Sequence, residues 1–121
     1  MILLTTTSSL IQVVTAGTQV VKVHTDFADT AASQAVTPGR LNTSISTATT
    51  TTIVAAPASG FQRAVLGISI TNTDTTNPAI ITMQHTDGTT VVPLFTDTFP
   101  LLPGRTINYN DKLGWQTTPR W

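Results

Sequence analysis

The chain of 121 residues has no cysteine and no glutamate, and only 10% of its residues are charged. Because there is no thiol, neither a disulfide framework nor a thiolate metal site can form. The six acidic residues are all aspartates, the six basic residues are scattered along the chain, and the formal net charge is zero. The sequence therefore offers no basic patch for a phosphate backbone, and we expect no nucleic-acid partner.

Long apolar runs are also missing. No stretch approaches the roughly 20 apolar residues of a membrane-spanning helix, so we expect no membrane partner. Residues 1–17 carry no basic side chain and are interrupted by Thr5-Thr6-Thr7-Ser8-Ser9 and Gln12. This pattern does not fit a Sec-type signal peptide.

Threonine takes the place of charge, at roughly a fifth of all residues, whereas about a quarter of an average soluble protein is charged. Threonine is β-branched and favours strands, while its hydroxyl group keeps a solvent-facing surface hydrated. A free monomer with few charges and no net charge has little electrostatic protection against association. The composition therefore predicts a β-rich chain, much of whose surface is covered by partner chains.

The stretch from residue 52 to residue 109 carries the strongest strand and turn signals. Two apolar-rich runs flank Asp87-Gly88, which is a strong hairpin signal because glycine and aspartate tolerate a positive φ. Pro103-Gly104 predicts a second tight turn, and Pro93 predicts an edge strand or a bulge. Alternation in residues 105–109 predicts a strand with Tyr109 on its apolar face.

The first half of the chain has weaker signals. Residues 10–14 and 19–25 predict two strands joined as a hairpin, and residues 47–55 predict another strand. Residues 26–39 predict a long loop with a turn of helix, closed by Pro38-Gly39. Short strands separated by turn residues predict an all-β fold, a single antiparallel β-sandwich or jelly-roll-like module of about eight short strands.

The predicted organisation has three parts: an N-terminal arm or edge strand over residues 1–8, a β-sandwich domain over residues 9–116, and a C-terminal tail over residues 117–121. Ile2, Leu3 and Leu4 form the short apolar start of the arm. Arg120 and Trp121 end the tail, and both residue types are enriched at protein interfaces. We predict these five residues as partner contacts.

The sequence repeats one tripeptide whose side chains could take part in chemistry. It occurs as His24-Thr25-Asp26 and as His85-Thr86-Asp87. Residues two apart share one face of a strand, so each tripeptide could offer an imidazole and a carboxylate to a metal ion. Threonine-rich strands that end in aspartate turns generate the same tripeptide by chance, and Asp87 already has a turn role. We therefore predict no metal site and no cofactor.

Catalytic patterns are weak. The sequence has no Gly-x-Ser-x-Gly elbow and no glycine-rich phosphate loop. The six aspartates lie in or beside predicted turns, where their side chains cap backbone groups. We predict no catalytic residues and no enzyme; a hydrolase would need a converging histidine and aspartate site. Tyr109, Trp115, Phe61 and Trp121 could stack on sugar rings, but core packing is favoured for Tyr109 and Trp115.

Several turn and core motifs together resemble a known family. They are Thr52 followed by Ile-Val-Ala-Ala-Pro-Ala-Ser-Gly, Gln62-Arg63, Asn72-Thr73-Asp74, Leu101-x-Pro103-Gly104, Asn108-Tyr109 and Gly114-Trp115. The chain is similar over most of its length to small structural proteins of tailed bacteriophages. Members of that family look like β-sandwich modules that decorate capsids, form the base of head fibres or occur in tail fibres.

The resemblance implies a non-enzymatic virion structural protein that binds the capsid surface as a decoration or head-fibre protein, a minor capsid protein that stabilises the shell. Its implied partners are the major capsid protein and copies of itself in a homo-oligomer, and its implied location is the capsid surface of the virion. The alternative is a tail-fibre or carbohydrate-binding module acting in host recognition, with other fibre proteins or host surface glycans as partners. Residues 117–121 extend past the family's customary end, which leaves the contact partner open.

Overall fold

A computed structural model describes residues 1–32, 34–96 and 100–118. Ten strands lie in this part of the chain: β1 (Ile2–Leu4), β2 (Leu10–Thr15), β3 (Val21–Thr30), β4 (Thr37–Ile45), β5 (Thr50–Val54), β6 (Gln62–Asn72), β7 (Ile81–Thr86), β8 (Val91–Thr96), β9 (Thr106–Asn110) and β10 (Gly114–Thr118). None of the described residues forms a helix that is long and apolar enough to cross a membrane.

The strands form two antiparallel sheets that pack face to face. The six-stranded sheet has the order β10-β9-β6-β3-β4, and β1 pairs with β6 beside this path. The four-stranded sheet has the order β5-β2-β7-β8. The predicted all-β sandwich is confirmed, with ten strands where the sequence indicated about eight.

The core lies between the sheets, because alternate residues of each strand point inward. In β2, for example, Ile11, Val13 and Thr15 are buried while the residues between them are half-buried. The fully enclosed side chains are almost all aliphatic: Leu4, Ile11, Ile53, Ile68, Ile70, Ile81, Met83, Leu101, Val13, Val21, Val54 and Val65. Residues from both sheets and from β1 therefore share a single core.

The predicted hairpin between residues 10–14 and 19–25 is wrong. β2 pairs with β5 and β7 in the four-stranded sheet, whereas β3 pairs with β4 and β6 in the six-stranded sheet. Both strands have one buried face, so placing them in opposite sheets lets those faces pack against each other across the core. The segment between them crosses from one sheet to the other, and the Ala16 amide donates to the Ile80 carbonyl on the way.

The predicted loop over residues 26–39 is also wrong, because β3 continues to Thr30 and β4 begins at Thr37. Phe27 keeps the inward alternation of β3, and the Arg63 guanidinium lies 4.0 Å from the centre of its ring. Arg63 also binds Asp29 through two hydrogen bonds, of 2.7 and 2.9 Å. Gly39 pairs with Phe27, and a side chain there would lie 2.5 Å from the ring. These contacts extend both strands past the weak sequence pattern.

The tight turns form where the sequence predicts them. Gly88 has a φ of 96° in the connection between β7 and β8, and Gly104 has a φ of 76° in the turn that leads to β9. The Arg105 amide donates to the Leu102 carbonyl at 3.0 Å, which closes the Pro103-Gly104 turn. Pro93 lies in the outer strand β8, opposite a register shift in β7, so its missing amide hydrogen costs the sheet little.

Asn72, at the end of β6, joins three separate segments inside the protein and is fully buried. Its side-chain amide donates to the carbonyls of Asn77 and Leu101 at 3.0 and 2.9 Å, and its side-chain oxygen accepts from the Asp74 amide. Its own carbonyl accepts from the Gly104 amide. The loop after β6 and the segment before β9 therefore close over the core through one side chain.

We predict that Asn72→Asp lowers the free energy of unfolding by about 3 kcal/mol or more, because a buried carboxylate would face two carbonyl oxygens that now accept hydrogen bonds. Urea denaturation at neutral pH measures this loss. The matched control is Gln34→Glu, which makes the same amide-to-carboxylate change at an exposed position and is expected to change stability by less than about 0.5 kcal/mol. Equal unfolding midpoints for the two variants would contradict the role of Asn72.

Candidate functional site

The outer face of the six-stranded sheet carries a continuous row of polar side chains. Cross-strand pairing aligns five residues, one from each strand of the path, and we name them the central row: Gln116, Asn108, Ser69, His24 and Asn42. In the two central strands their neighbours are buried in the core, namely Val23, Thr25, Ile68 and Ile70, because side chains alternate between the faces of a sheet. The row therefore runs across the full width of the sheet.

Two further polar rows flank the central row. On one side, Thr106, Thr71, Lys22 and Ser44 are cross-strand partners. The hydroxyl oxygens of Thr71 and Thr106 lie 2.7 Å apart, and the Lys22 ammonium donates to the Ser44 hydroxyl at 2.9 Å. On the other side, Asn110, Gly67, Asp26 and Arg40 are aligned in the same way.

Gly67 and Ser69 make the middle of this face low, because Gly67 has no side chain and that of Ser69 is small. Two adjoining depressions result, with volumes of about 400 and 510 Å³, and both are lined by His24 and Ser69. The smaller one extends toward Lys22, Asn42 and Ser44. The larger one extends toward Asp26, Asn108 and Asn110. We name the two depressions together the outer groove.

A β-bulge bounds the outer groove. Asp26 pairs with Gly67 and Phe27 pairs with Val65, so Leu66 has no partner on β3. The extra residue leaves the Leu66 side chain 40% exposed at the edge of the larger depression. The polar rows therefore end at an apolar side chain.

His24 is the titratable group at the centre of the outer groove. Its Nδ1 lies 2.6 Å from the Asn42 side-chain oxygen, and its Nε2 lies 3.0 Å from an Asp26 carboxylate oxygen. The hydrogen bond with Asn42, opposed by desolvation and supported by Asp26, raises the pKa of His24 above its ordinary value of 6.5. Only the protonated ring can donate through both nitrogens, so these two acceptors favour the charged form.

The two His-Thr-Asp tripeptides do not converge. His24 lies on the outer face of the six-stranded sheet, whereas His85 lies in β7 of the four-stranded sheet. The Asp87 carboxylate accepts hydrogen bonds from the amides of Thr90 and Thr89, which lower its pKa. Within residues 1–32, 34–96 and 100–118, no three side chains of the histidine, cysteine, aspartate and glutamate types come close enough to hold a metal ion.

The other described aspartates mostly have structural partners. Asp74 accepts hydrogen bonds from the backbone amides of Thr76 and Asn77, which lower its pKa, as expected for a turn cap. Asp29 binds Arg63. Asp26 is the carboxylate that belongs to the outer groove. Asp97 lies outside the described residues.

The aromatic side chains near the end of the domain pack toward the core, as predicted. The Trp115 ring lies 5.1 Å from the Tyr109 ring and 5.9 Å from the Phe95 ring, measured between centroids. Burial, with the nearby Asp111 charge, raises the pKa of the Tyr109 hydroxyl, which also hydrogen-bonds the Ile2 backbone. Tyr109 and Trp115 therefore do not form a platform on the outer face.

The predicted partner contacts fall in different environments. Ile2, Leu3 and Leu4 form β1, in which Leu4 is fully buried in the chain's own core, Ile2 is half-buried, and Leu3 is 48% exposed. Arg120 and Trp121 lie outside the described residues. Their contact with a partner remains a prediction.

Sequence reasoning missed the outer groove. In the sequence, Lys22, His24 and Asp26 alternate with apolar or β-branched residues, and this pattern indicates a polar face on one strand. The alignment of that face with Ser69, Asn108 and Gln116 depends on strand register, which a local pattern does not contain. Comparison of the chain with family models, with curated proteins and with solved structures found no match.

We predict that Asn42→Ala lowers the pKa of His24, because it removes the acceptor at Nδ1. A raised pKa in the folded state stabilises the protein below the unfolded-state pKa, and this contribution is lost as the pH rises through the folded-state pKa. The charged groups around the ring are Asp26, Arg40 and Lys22. The stability difference between wild type and Asn42→Ala should therefore be larger at pH 5 than at pH 9.

Proton NMR titration of the His24 ring and urea denaturation at both pH values measure these effects. Ser44→Ala, on the same strand and face, is the control and should leave the His24 titration unchanged. An unchanged titration in Asn42→Ala, or a stability difference that grows with pH, would contradict the prediction.

Proposed function

We propose that this chain is a non-enzymatic structural protein of a bacteriophage virion, which binds the capsid surface as a decoration or head-fibre protein and stabilises the shell. It associates with the major capsid protein and with copies of itself. The stabilisation comes from added buried area between neighbouring subunits. The β-sandwich fold is compatible with the family that the sequence motifs resemble, but fold alone does not assign a function.

The observation that carries the proposal is the balance of apolar and charged groups at the surface. Ten large hydrophobic side chains of the described residues are at least 40% exposed, while the whole chain has only twelve charged residues. Scattered exposed apolar residues are normal, but clusters of them mark interaction surfaces. Contact with partner chains would remove these apolar side chains from water, and a chain without net charge does not oppose such contact by electrostatic repulsion.

One such cluster lies beside the N-terminal strand. Leu3 pairs with Ala64, and Leu66 follows two residues later on the outer face of β6. Leu3 and Leu66 are 48% and 40% exposed, and Met1 beside them is 71% exposed. We name Met1, Leu3 and Leu66 the N-terminal apolar patch and propose it as a contact with the capsid, in line with the predicted role of Leu3.

The edges of both sheets support assembly in a second way. β4 and β10 end the path of the six-stranded sheet, and β5 and β8 end the four-stranded sheet. An edge strand presents unpaired backbone groups that another chain can bind. In β8 the consecutive residues Val91 and Val92 are 53% and 47% exposed, so this edge is apolar as well as open. Copies of the chain, or a capsid subunit, can add here.

Cryo-EM of purified particles that carry this chain tests the location. We expect copies on the capsid surface in contact with the major capsid protein, because the proposed mechanism needs many shell contacts. Absence of the chain from purified particles would contradict a virion role. Copies confined to the tail or to one vertex would instead favour the tail-fibre or host-recognition module.

Leu3→Asp tests the N-terminal apolar patch. A charge in a buried contact is costly, so we expect the variant to remain folded but to incorporate into particles at least about tenfold less well, which corresponds to about 1.4 kcal/mol. Quantitative mass spectrometry of the particles measures the incorporation. Ile80→Asp, at a residue that is 51% exposed outside the patch, is the matched control. Equal incorporation of the two variants would contradict the patch as the contact.

A further inference from the structure

The two depressions of the outer groove differ in charge. Lys22 and His24 line the smaller depression, and none of the carboxylates in the described part of the chain lines it. Asp26 lines the larger depression together with the amides of Asn108 and Asn110. The smaller depression therefore suits an anionic group, and the larger one suits a ligand that both donates and accepts hydrogen bonds.

The polar groups of the outer groove are held in fixed positions. The Lys22 ammonium is tied to Ser44, and His24 is tied to both Asn42 and Asp26. The backbone beneath them is the centre of a sheet, which is more rigid than a loop. Binding to such a surface loses little side-chain entropy, which favours affinity.

The volume of the groove and its position in the sheet limit the kinds of ligand that can bind there. Volumes of 400 and 510 Å³ lie within the roughly 300–1,000 Å³ of small-molecule sites. Amides, hydroxyls and charged groups form the rows, and Leu66 adds an apolar side chain at the edge of the larger depression. The groove lies over β3 and β6, whose backbone groups are already paired on both sides. An extended peptide therefore cannot add there as a strand.

We propose that the outer groove binds an acidic glycan. A sugar carboxylate lies in the smaller depression beside Lys22 and His24, and hydroxyl groups of the neighbouring sugar lie in the larger depression beside Asp26 and Asn110. Vicinal hydroxyl groups match side-chain amides and carboxylates because each can donate and accept. This site adjoins the contact proposed for assembly, because Leu66 belongs to the N-terminal apolar patch and also lines the larger depression.

The outer face of the four-stranded sheet provides an internal comparison. Its central pair, Gln84 and Gln12, is hydrogen-bonded side chain to side chain at 2.9 Å. Pro93 pairs with Gln84 and Thr52 pairs with Gln12 on either side, so this row carries no charge. Both sheets therefore have polar side chains on their outer faces. The groove with charged side chains described above lies on the six-stranded sheet.

Calorimetric titration of the full chain with an oligogalacturonate tests the proposal. The two comparison probes are the same oligomer with its carboxylates reduced to alcohols, and a poly-aspartate peptide of similar charge. We expect oligogalacturonate to bind at least about tenfold more tightly than either probe, because only it supplies both carboxylates and sugar hydroxyls. No binding, or equal binding of the reduced oligomer or of poly-aspartate, would overturn the assignment to an acidic glycan.

Lys22→Ala and Lys112→Ala are a matched pair, since each removes one ammonium group from an exposed position. We expect Lys22→Ala to weaken oligogalacturonate binding by roughly fivefold and Lys112→Ala by less than about twofold. Equal effects would indicate long-range attraction only and would overturn the site. Both side chains are solvent-exposed, and an unchanged unfolding midpoint checks that each variant is folded.

Amide NMR shifts locate the bound oligomer without any substitution. The proposal expects the largest shifts at Lys22, Gly67 and Ser69. Shifts confined to other parts of the surface, such as the turn around Gly88, would overturn it.

Discussion

The buried amide of Asn72 is the interaction on which the rest of the fold depends. The chain leaves the six-stranded sheet after Asn72, enters the four-stranded sheet at β7, and returns to the six-stranded sheet at β9. Both passages run over the core, where Ala79 and Leu101 are buried and bonded to each other through their backbones. Carbonyl groups there are shielded from water and need donors. Because Asn72 supplies donors to the Asn77 and Leu101 carbonyls, it ties both passages to the end of β6.

Elsewhere in the core, uncharged side chains also form hydrogen bonds with backbone groups. The buried polar residues are Ser9, Thr15, Thr25 and Asn72. Thr25 is fully enclosed, and its hydroxyl lies 3.3 Å from the Leu41 carbonyl in one sheet and 3.2 Å from the Ile53 carbonyl in the other. Such groups satisfy the backbone without the large desolvation cost of a buried charge. Such hydrogen bonds help to determine which faces of the two sheets pack together in a chain that has few charged residues.

The sequence was informative wherever structure is local. Turns at Gly88 and Gly104, the edge position of Pro93 and the inward faces of Tyr109 and Trp115 follow from residue type and spacing. Pairing between distant strands was not predictable in this way, and so the β2–β3 hairpin and the loop at 26–39 were wrong. Phe27 is held by Arg63 and Gly39, which lie far from it in sequence. The outer groove needs four strands in register, so its members His24, Ser69 and Asn108 could be recognised singly but not as a site.

The bulge at Leu66 divides β6 into two halves of opposite parity. Inward-facing residues before it include Val65, and those after it include Ile68 and Ile70. Deleting one residue elsewhere in this strand would exchange its buried and exposed sets on one side of the deletion, whereas deleting Leu66 itself would remove the bulge and leave a regularly alternating strand. A one-residue difference in length between Gln62 and Asn72 in homologous chains should therefore fall at the bulge. The bulge is thus the position at which β6 can change its length by one residue while its inward-facing residues still face the core.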